Sequence, residues 1–229
     1  MTNGVDLANQ RAGDRRIEPA SRGESMSWQI LTSALVTAAF VSSQAVACKG
    51  KNVLFEDNFV APNPAWPQNL TIDSGTAMIT AEKNEIRVEL YRGVAFANAA
   101  ICVDVTLPEA EDPSQTWGGL VFWSPDSGDY YLFSLSADGW VDVTHERDDR
   151  KSTTVEEREV DGIDASAGSK HTLEVRLDGT NASVLVDDIP VATFKGDPPM
   201  GKSFIGLASD SKDEQITWVF SRLRVTDLP

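Results

Sequence analysis

A chain of 229 residues with 41% hydrophobic and 24% charged residues, six Trp and nine Phe carries enough apolar bulk for a folded core, which excludes a disordered or fibrous protein. The formal net charge is −15, and the four arginines before residue 48 (Arg11, Arg15, Arg16, Arg22) cancel four acids there (Asp6, Asp14, Glu18, Glu24), so the remainder carries all of it. An acidic body without a local basic stripe repels phosphate backbones and anionic headgroups, which excludes nucleic acid and acidic membrane surfaces as partners.

The first element in chain order is the apolar run Ile30 to Val41, followed by the small-residue stretch SSQAVAC. It is shorter than the roughly 20 residues that span a bilayer, and together the two read as the h-region and cleavage signature of a signal peptide. Cleavage after Ala47 satisfies the small-x-small rule through Ala45, Val46 and Ala47 and leaves Cys48 first. Residues 1–25 are long, polar and charge-balanced where a short basic stretch belongs, so Met26 is read as the true start. Residues 1–47 are thus assigned to an N-terminal extension and signal peptide, and 48–229 to a single domain without a transmembrane segment, expected to be periplasmic or secreted.

Cys48 has two readings. Ala45-Val46-Ala47-Cys48 is similar to a bacterial lipobox, which would make Cys48 a lipid anchor, although Ala45 stands where Leu is usual. The other reading is a disulfide to Cys102, the only other cysteine, and this is the expectation for an exported chain. In ICVDVTL, Ile101, Val103 and Val105 share one face and Cys102 takes the opposite, polar one.

From Asn52 onward, short runs rich in β-branched and aromatic residues alternate with polar ones and are punctuated by turn residues, which predicts thirteen strands and no helix. They are Asn52 to Asp57, Thr76 to Thr80, Glu85 to Tyr91, Ala100 to Thr106, Gly118 to Trp123, Tyr130 to Ser136, Trp140 to Glu146, Thr153 to Glu159, His171 to Leu177, Ala182 to Val186, Val191 to Lys195, Phe204 to Ala208 and Thr217 to Val225. Asp138-Gly139, Asp178-Gly179 and Asp187-Asp188 are hairpin signals. With no repeat or linker, the pattern predicts an all-β fold, a two-sheet antiparallel jelly-roll β-sandwich.

Two tight connections let the register of the strands between Trp117 and Glu146 be derived. If Trp123 faces Tyr130 and Ser136 faces Trp140, one face carries the rows Trp117, Ser136, Trp140; Gly119, Ser134, Asp142; Val121, Leu132, Thr144; and Trp123, Tyr130, Glu146. The other face, Leu120, Phe133, Val143 and their neighbours, is apolar and belongs to the core, with His145 at its border. The first face mixes flat rings, on which pyranose C–H faces stack, with hydroxyls and carboxylates that bond sugar hydroxyls. Trp117, Trp123, Tyr130, Ser134, Trp140, Asp142, Thr144 and Glu146 are therefore the candidate carbohydrate-binding residues, for an oligosaccharide or polysaccharide. The bland reading, in which the same rings pack under loops, stands beside it.

No catalytic residue is assigned. Asp142 and Glu146 stand four residues apart, roughly 13 Å along a strand, beyond the carboxyl separations of retaining or inverting glycosidases. His145 and His171 complete no nucleophilic set. The acidic loops Asp126-Ser127-Gly128-Asp129 and Asp210-Ser211-Lys212-Asp213-Glu214 offer oxygen ligands suited to a structural calcium, but neither has EF-hand spacing, and no cofactor is expected.

The opening VLFEDNF with Trp66, the middle WGGLVFWSPDSGDYYLFSLSADG and the tail HTLEVRLDGTNASVLVDDIPVATFKG with FIGLASDS and WVFSRLRV resemble the concanavalin A-like lectin/glucanase superfamily. Within it the likeness is to bacterial exported LamG-like and DUF1080-type (3-keto-disaccharide hydrolase-like) domains, from about Val53 to Val225. The resemblance implies a glycan-binding concave sheet carrying the Trp117 to Glu146 face. Some members hydrolyse their glycans, but Glu159-Val160-Asp161-Gly162-Ile163-Asp164 departs from the E-x-D-x-x-E catalytic pattern by ending in Asp and by carrying Gly162 inside it. The expectation is a non-catalytic carbohydrate-binding or envelope-associated domain. A glycosidase acting on a modified disaccharide and a structural envelope module are the alternatives.

Overall fold

Period-two alternation from Val53 onward resolves, in the computed structural model, into two antiparallel sheets packed face to face. The structure describes residues 48–125, 128–148 and 150–229; the signal segment expected over 1–47 lies outside them, as does part of the Asp126 to Asp129 loop. The strands are β1 (Val53–Asp57), β2 (Thr71–Asp73), β3 (Thr76–Ala81), β4 (Glu85–Phe96), β5 (Ala99–Thr106), β6 (Thr116–Ser124) and β7 (Asp129–Ser136). They continue as β8 (Trp140–Arg147), β9 (Arg150–Glu159), β10 (Lys170–Asp178), β11 (Asn181–Val186), β12 (Ile189–Lys195), β13 (Ser203–Ser211) and β14 (Ile216–Thr226). All thirteen expected strands are present, and the short β2 is added.

The larger sheet runs β12-β11-β10-β5-β14-β3-β2 with β1 paired to β14, and the smaller runs β4-β13-β6-β7-β8-β9. This is the jelly-roll sandwich that the patterning predicts. Among the described residues, the only helix is the 3-10 turn Pro113–Gln115, capped by the Asp112 carboxylate. No helix there is long and apolar enough to cross a membrane.

The inner faces interleave branched and aromatic side chains, among them Leu120, Phe133 and Val143 from the smaller sheet and Ile101, Val175 and Phe220 from the larger, all fully buried. Each contributes about 1.5–3 kcal/mol relative to exposure. Trp218 lies flat against Gly118, where a Cβ would come within 2.4 Å of its ring, and its indole N–H donates to the Thr116 hydroxyl at 2.9 Å. One Trp–Gly contact thereby sets the spacing between the sheets.

Cys48 and Cys102 are joined by a disulfide with Cα atoms 5.9 Å apart, on the outer, polar face of β5 as the alternation predicts. The bridge closes a separation of 54 residues, a loop that stabilises by roughly 4 kcal/mol in the chain-entropy account. The two readings of Cys48 compete for one sulfur, and in the structure that sulfur is in the bridge.

Trp123 departs from its expected place. Between Val121 and Ser124, β6 takes three steps while its partner β13 takes two, from Gly206 to Phe204, which is a β-bulge. Trp123 absorbs it with a φ of 51°, and the alternation inverts there. The ring turns into the core, only 2% exposed, edge-on to Tyr131 and Phe194 with centroids 5.2 and 6.3 Å away. Gly196 supports it from the far side, since a Cβ there would stand 2.3 Å from the indole.

Trp123 is accordingly a core residue, turned away from the outward face on which strict alternation sets it. Trp123→Ala is expected to lower stability by about 3–5 kcal/mol in urea unfolding, and Gly196→Ala to destabilise through the same ring; unchanged midpoints in both would refute this packing.

Candidate functional site

The register across β6, β7 and β8 places the rest of the candidate face. Trp117 pairs with Ser136 and Gly119 with Ser134, and Ser134 with Asp142, Leu132 with Thr144 and Tyr130 with Glu146. These are the rows derived from the sequence. The β7–β8 hairpin turns through Gly139 at a φ of 91°. There the Ser136 hydroxyl accepts the Trp140 N–H at 3.0 Å and donates to the Asp138 carboxylate, which holds Trp140 at the rim. Its side chain is 39% exposed.

Two further strands complete the site, β13, distant in sequence, and β9, the hairpin partner of β8. β13 brings Asp210 opposite Trp117, and β9 brings Thr153 opposite Thr144 and Lys151 opposite Glu146. The result is an open cleft of about 360 Å³ whose lining includes Trp117, Ser134, Ser136, Trp140 and Asp142, with Ser114, Gln115 and Lys212 at one end and Lys151, Thr153, Glu156 and Glu157 along β9. The Ser134 hydroxyl donates to the Asp142 carboxylate, so floor and wall are tied.

Of the candidate residues, Trp117, Ser134, Trp140 and Asp142 come together in this cleft. Tyr130, Thr144 and Glu146 share the face but lie beyond it. Tyr130 is buried in a small apolar cluster with Leu90, Val121, Leu132 and Ala208; burial, with the charge of Glu146 adding, pushes its hydroxyl up to about 12. Trp123 is absent for the reason given above. Asp210, Lys151, Glu156 and Glu157 were not foreseen in the site. The acidic loop beginning at Asp210 was noticed, but as a candidate calcium ligand.

Asp210 is 8% exposed. Burial raises its carboxyl above the ordinary range, and the charges of Lys212 and Lys151, the Ser211 N–H and the Trp117 indole N–H, which hydrogen-bonds it, oppose this without cancelling it. Asp210 therefore fixes one side of the Trp117 ring.

The carboxylates of this face lie on β13, β8 and β9. Asp142 and Glu146 stay on one strand at the separation given above, and Asp210 is three strands from Asp142, about 14 Å across the sheet. The central strands β6 and β7 present Trp117, Gly119, Val121, Tyr130, Leu132, Ser134 and Ser136 outward, none of them acidic. The carboxylates adjacent to Asp142 are Glu156 and Glu157 on β9, both exposed.

Glu159 ends β9 and Gly162 turns the chain at a φ of 89°, so Glu159, Asp161 and Asp164 share no strand face. Each histidine is hydrogen-bonded to a carboxylate: His145 stacks on Tyr131 and meets Asp129 at 2.8 Å, and His171 meets Asp187 at 2.7 Å. Among the described residues no three His, Cys, Asp or Glu side chains converge to hold a metal. In the second acidic loop, the Glu214 carboxylate accepts the Glu111 N–H at 2.7 Å.

No family model matches the sequence, and no curated protein matches it. Solved structures do match in shape. A carbohydrate-binding module, CBM66 of Bacillus subtilis, superposes with a TM-score of 0.54 at 18% identity, covering 77% of this chain and 98% of that one. The β-glucanase of Bacillus licheniformis superposes with 0.58 at 12% identity, over 81% and 100%. A prokaryotic β-1,3-1,4-glucanase (lichenase) from a mouse hindgut metagenome gives 0.60 at 11% identity, over 76% and 99%. At these identities the likeness establishes the jelly-roll sandwich fold alone.

The raised carboxyl of Asp210 has a signed consequence. A group whose pKa is raised in the folded state contributes stability that is present at low pH and is lost as pH rises through that value. In urea melts, wild type is therefore expected to gain on Asp210→Asn between pH 7 and about pH 3.5; a pH-independent difference would contradict the burial of this carboxyl.

Proposed function

We propose that this protein is an exported, non-catalytic carbohydrate-binding domain whose cleft takes a short stretch of an oligosaccharide or polysaccharide chain. The observation that carries the reading is the Trp140 ring standing exposed at the rim of a cleft that also contains Trp117, Ser134 and Asp142. An exposed ring offers a stacking platform for a pyranose, and the polar floor offers partners for its hydroxyls. The carbohydrate-binding module and the glucanases that share the fold support this choice of ligand. The absence of acids from the outward positions of β6 and β7 favours binding over hydrolysis.

Export is supported by the apolar run and cleavage signature before Cys48 and by the disulfide, which persists in an oxidising compartment. We place the chain nearest to exported LamG-like and DUF1080-type domains on its strand-and-turn pattern, and the binding reading calls for no cofactor.

Titration of tryptophan fluorescence with laminari-, cello- and mixed-linkage oligosaccharides is expected to show saturable quenching. Trp140→Ala should weaken binding roughly tenfold, in keeping with one aromatic stack. Quenching that is the same in Trp140→Ala, or missing for every sugar, rules the site out. Release of reducing ends that stops in Asp142→Asn or Glu156→Gln would make the protein a hydrolase. The intact mass of the exported protein is expected to begin at Cys48 and to fall two hydrogens below the reduced value, whereas a diacylglycerol-sized increment would establish the anchor.

A further inference from the structure

On the outer face of the larger sheet, Cys102 lies between Glu174 of β10 and Arg224 of β14, each directly opposite it in register. Glu174 is 1% exposed. One of its carboxylate oxygens, Oε1, accepts the Arg176 Nε at 2.7 Å, while Oε2 is buried and has no partner. A buried carboxylate with one oxygen unpaired keeps much of its desolvation penalty.

The neighbouring cations are placed elsewhere. Lys49 pairs with Asp188 at 3.0 Å and Arg222 with Asp104, and Arg224 faces Cys102 from β14, across β5 from Glu174, with its Nε buried and unpartnered. Residues opposite one another in such a ladder have Cβ atoms about 4.5–5.5 Å apart, and the Cys48 Cα is 5.9 Å from that of Cys102. Cys48 is thus bonded to the residue that Glu174 faces, with its own Sγ 3.4 Å from the Arg224 carbonyl. It is 1% exposed and held at a φ of 59°, a conformation that an L-residue inside a chain rarely adopts.

We propose that proteolytic processing between Ala47 and Cys48 completes this site, the new α-ammonium of Cys48 becoming the second cation of Glu174. The step is hydrolysis of one amide by a signal peptidase. The water oxygen goes to the Ala47 carbonyl carbon, which leaves as a carboxylate, and both water protons end on the Cys48 nitrogen as an ammonium. An α-amino group with a pKa near about 8 is positively charged at neutral pH. Cleavage also removes the φ torsion of Cys48 and with it the left-handed constraint. The proposal rests on the export reading above, because it needs the cut at that bond.

The test uses the full chain as it is exported. One serine inserted between Ala47 and Cys48 keeps the cleavage signature and moves the α-ammonium one residue outward. Both forms are made with Glu174 and with Glu174→Gln, and intact masses confirm where each begins. The form starting at Cys48 is expected to be roughly 10- to 100-fold more stable in its folding equilibrium, the range of a charge-assisted hydrogen bond, and Glu174→Gln should remove most of that gain.

Equal stability of the two forms, or a gain that survives Glu174→Gln, overturns the proposal. A second measurement needs no variant: the Cys48 α-amine of the native protein is expected to undergo reductive methylation far more slowly than in urea, and equal rates also overturn it. A mass that begins elsewhere than Cys48 defeats the export reading and the proposal with it. Correct masses with equal stabilities defeat the Glu174 pairing alone.

Discussion

The pairing register of β6, β7 and β8 is the constraint on which the rest of the molecule depends. In a strand every shift by one residue exchanges the two faces, so the left-handed turn at Gly139 decides at once that Leu120, Phe133 and Val143 go inward and that Trp117, Ser134 and Asp142 go outward. Core and cleft are two sides of one decision. Trp218 on Gly118 then locks the inner side against the second sheet, which keeps the outward side from shifting.

Alternation made this much readable from the amino-acid order alone, because tight turns tie neighbouring strands together and leave one register open. It failed where the backbone departed from alternation. The bulge at Trp123 adds one residue to β6 opposite β13, and β13 begins some eighty residues later in the chain, so no local pattern announces it. The same distance hid Asp210, which reaches Trp117 only because β13 inserts between β4 and β6. Glu156 and Glu157 were read as part of a strand, but pairing of β9 with β8 was needed to set them beside Asp142. What remained illegible was the non-local pairing of β13 and the irregular register of the β8–β9 hairpin.

The two outer faces do different work. That of the smaller sheet is divided between a buried apolar cluster around Val121 and Leu132 and a polar cleft walled by Trp117 and Trp140. Its acids sit on β13, β8 and β9, so the cleft sets hydroxyls and rings of β6 and β7 between carboxylates on either side. The outer face of the larger sheet instead holds buried carboxylates covered by partly exposed arginines, Asp104 with Arg222 and Glu174 with Arg176, beside the disulfide. One surface is an open cleft and the other is closed on itself.

The disulfide also has a mechanical meaning. β5 is hydrogen-bonded on one side to β10 and on the other to β14, and Cys102 lies within it. A pull applied at Cys48 is carried through the sulfur bridge into this interior strand, bypassing β1, which branches from β14 by a single ladder. Load that would otherwise peel an edge strand away one hydrogen bond at a time is spread in shear over two ladders, with the binding cleft on the opposite sheet.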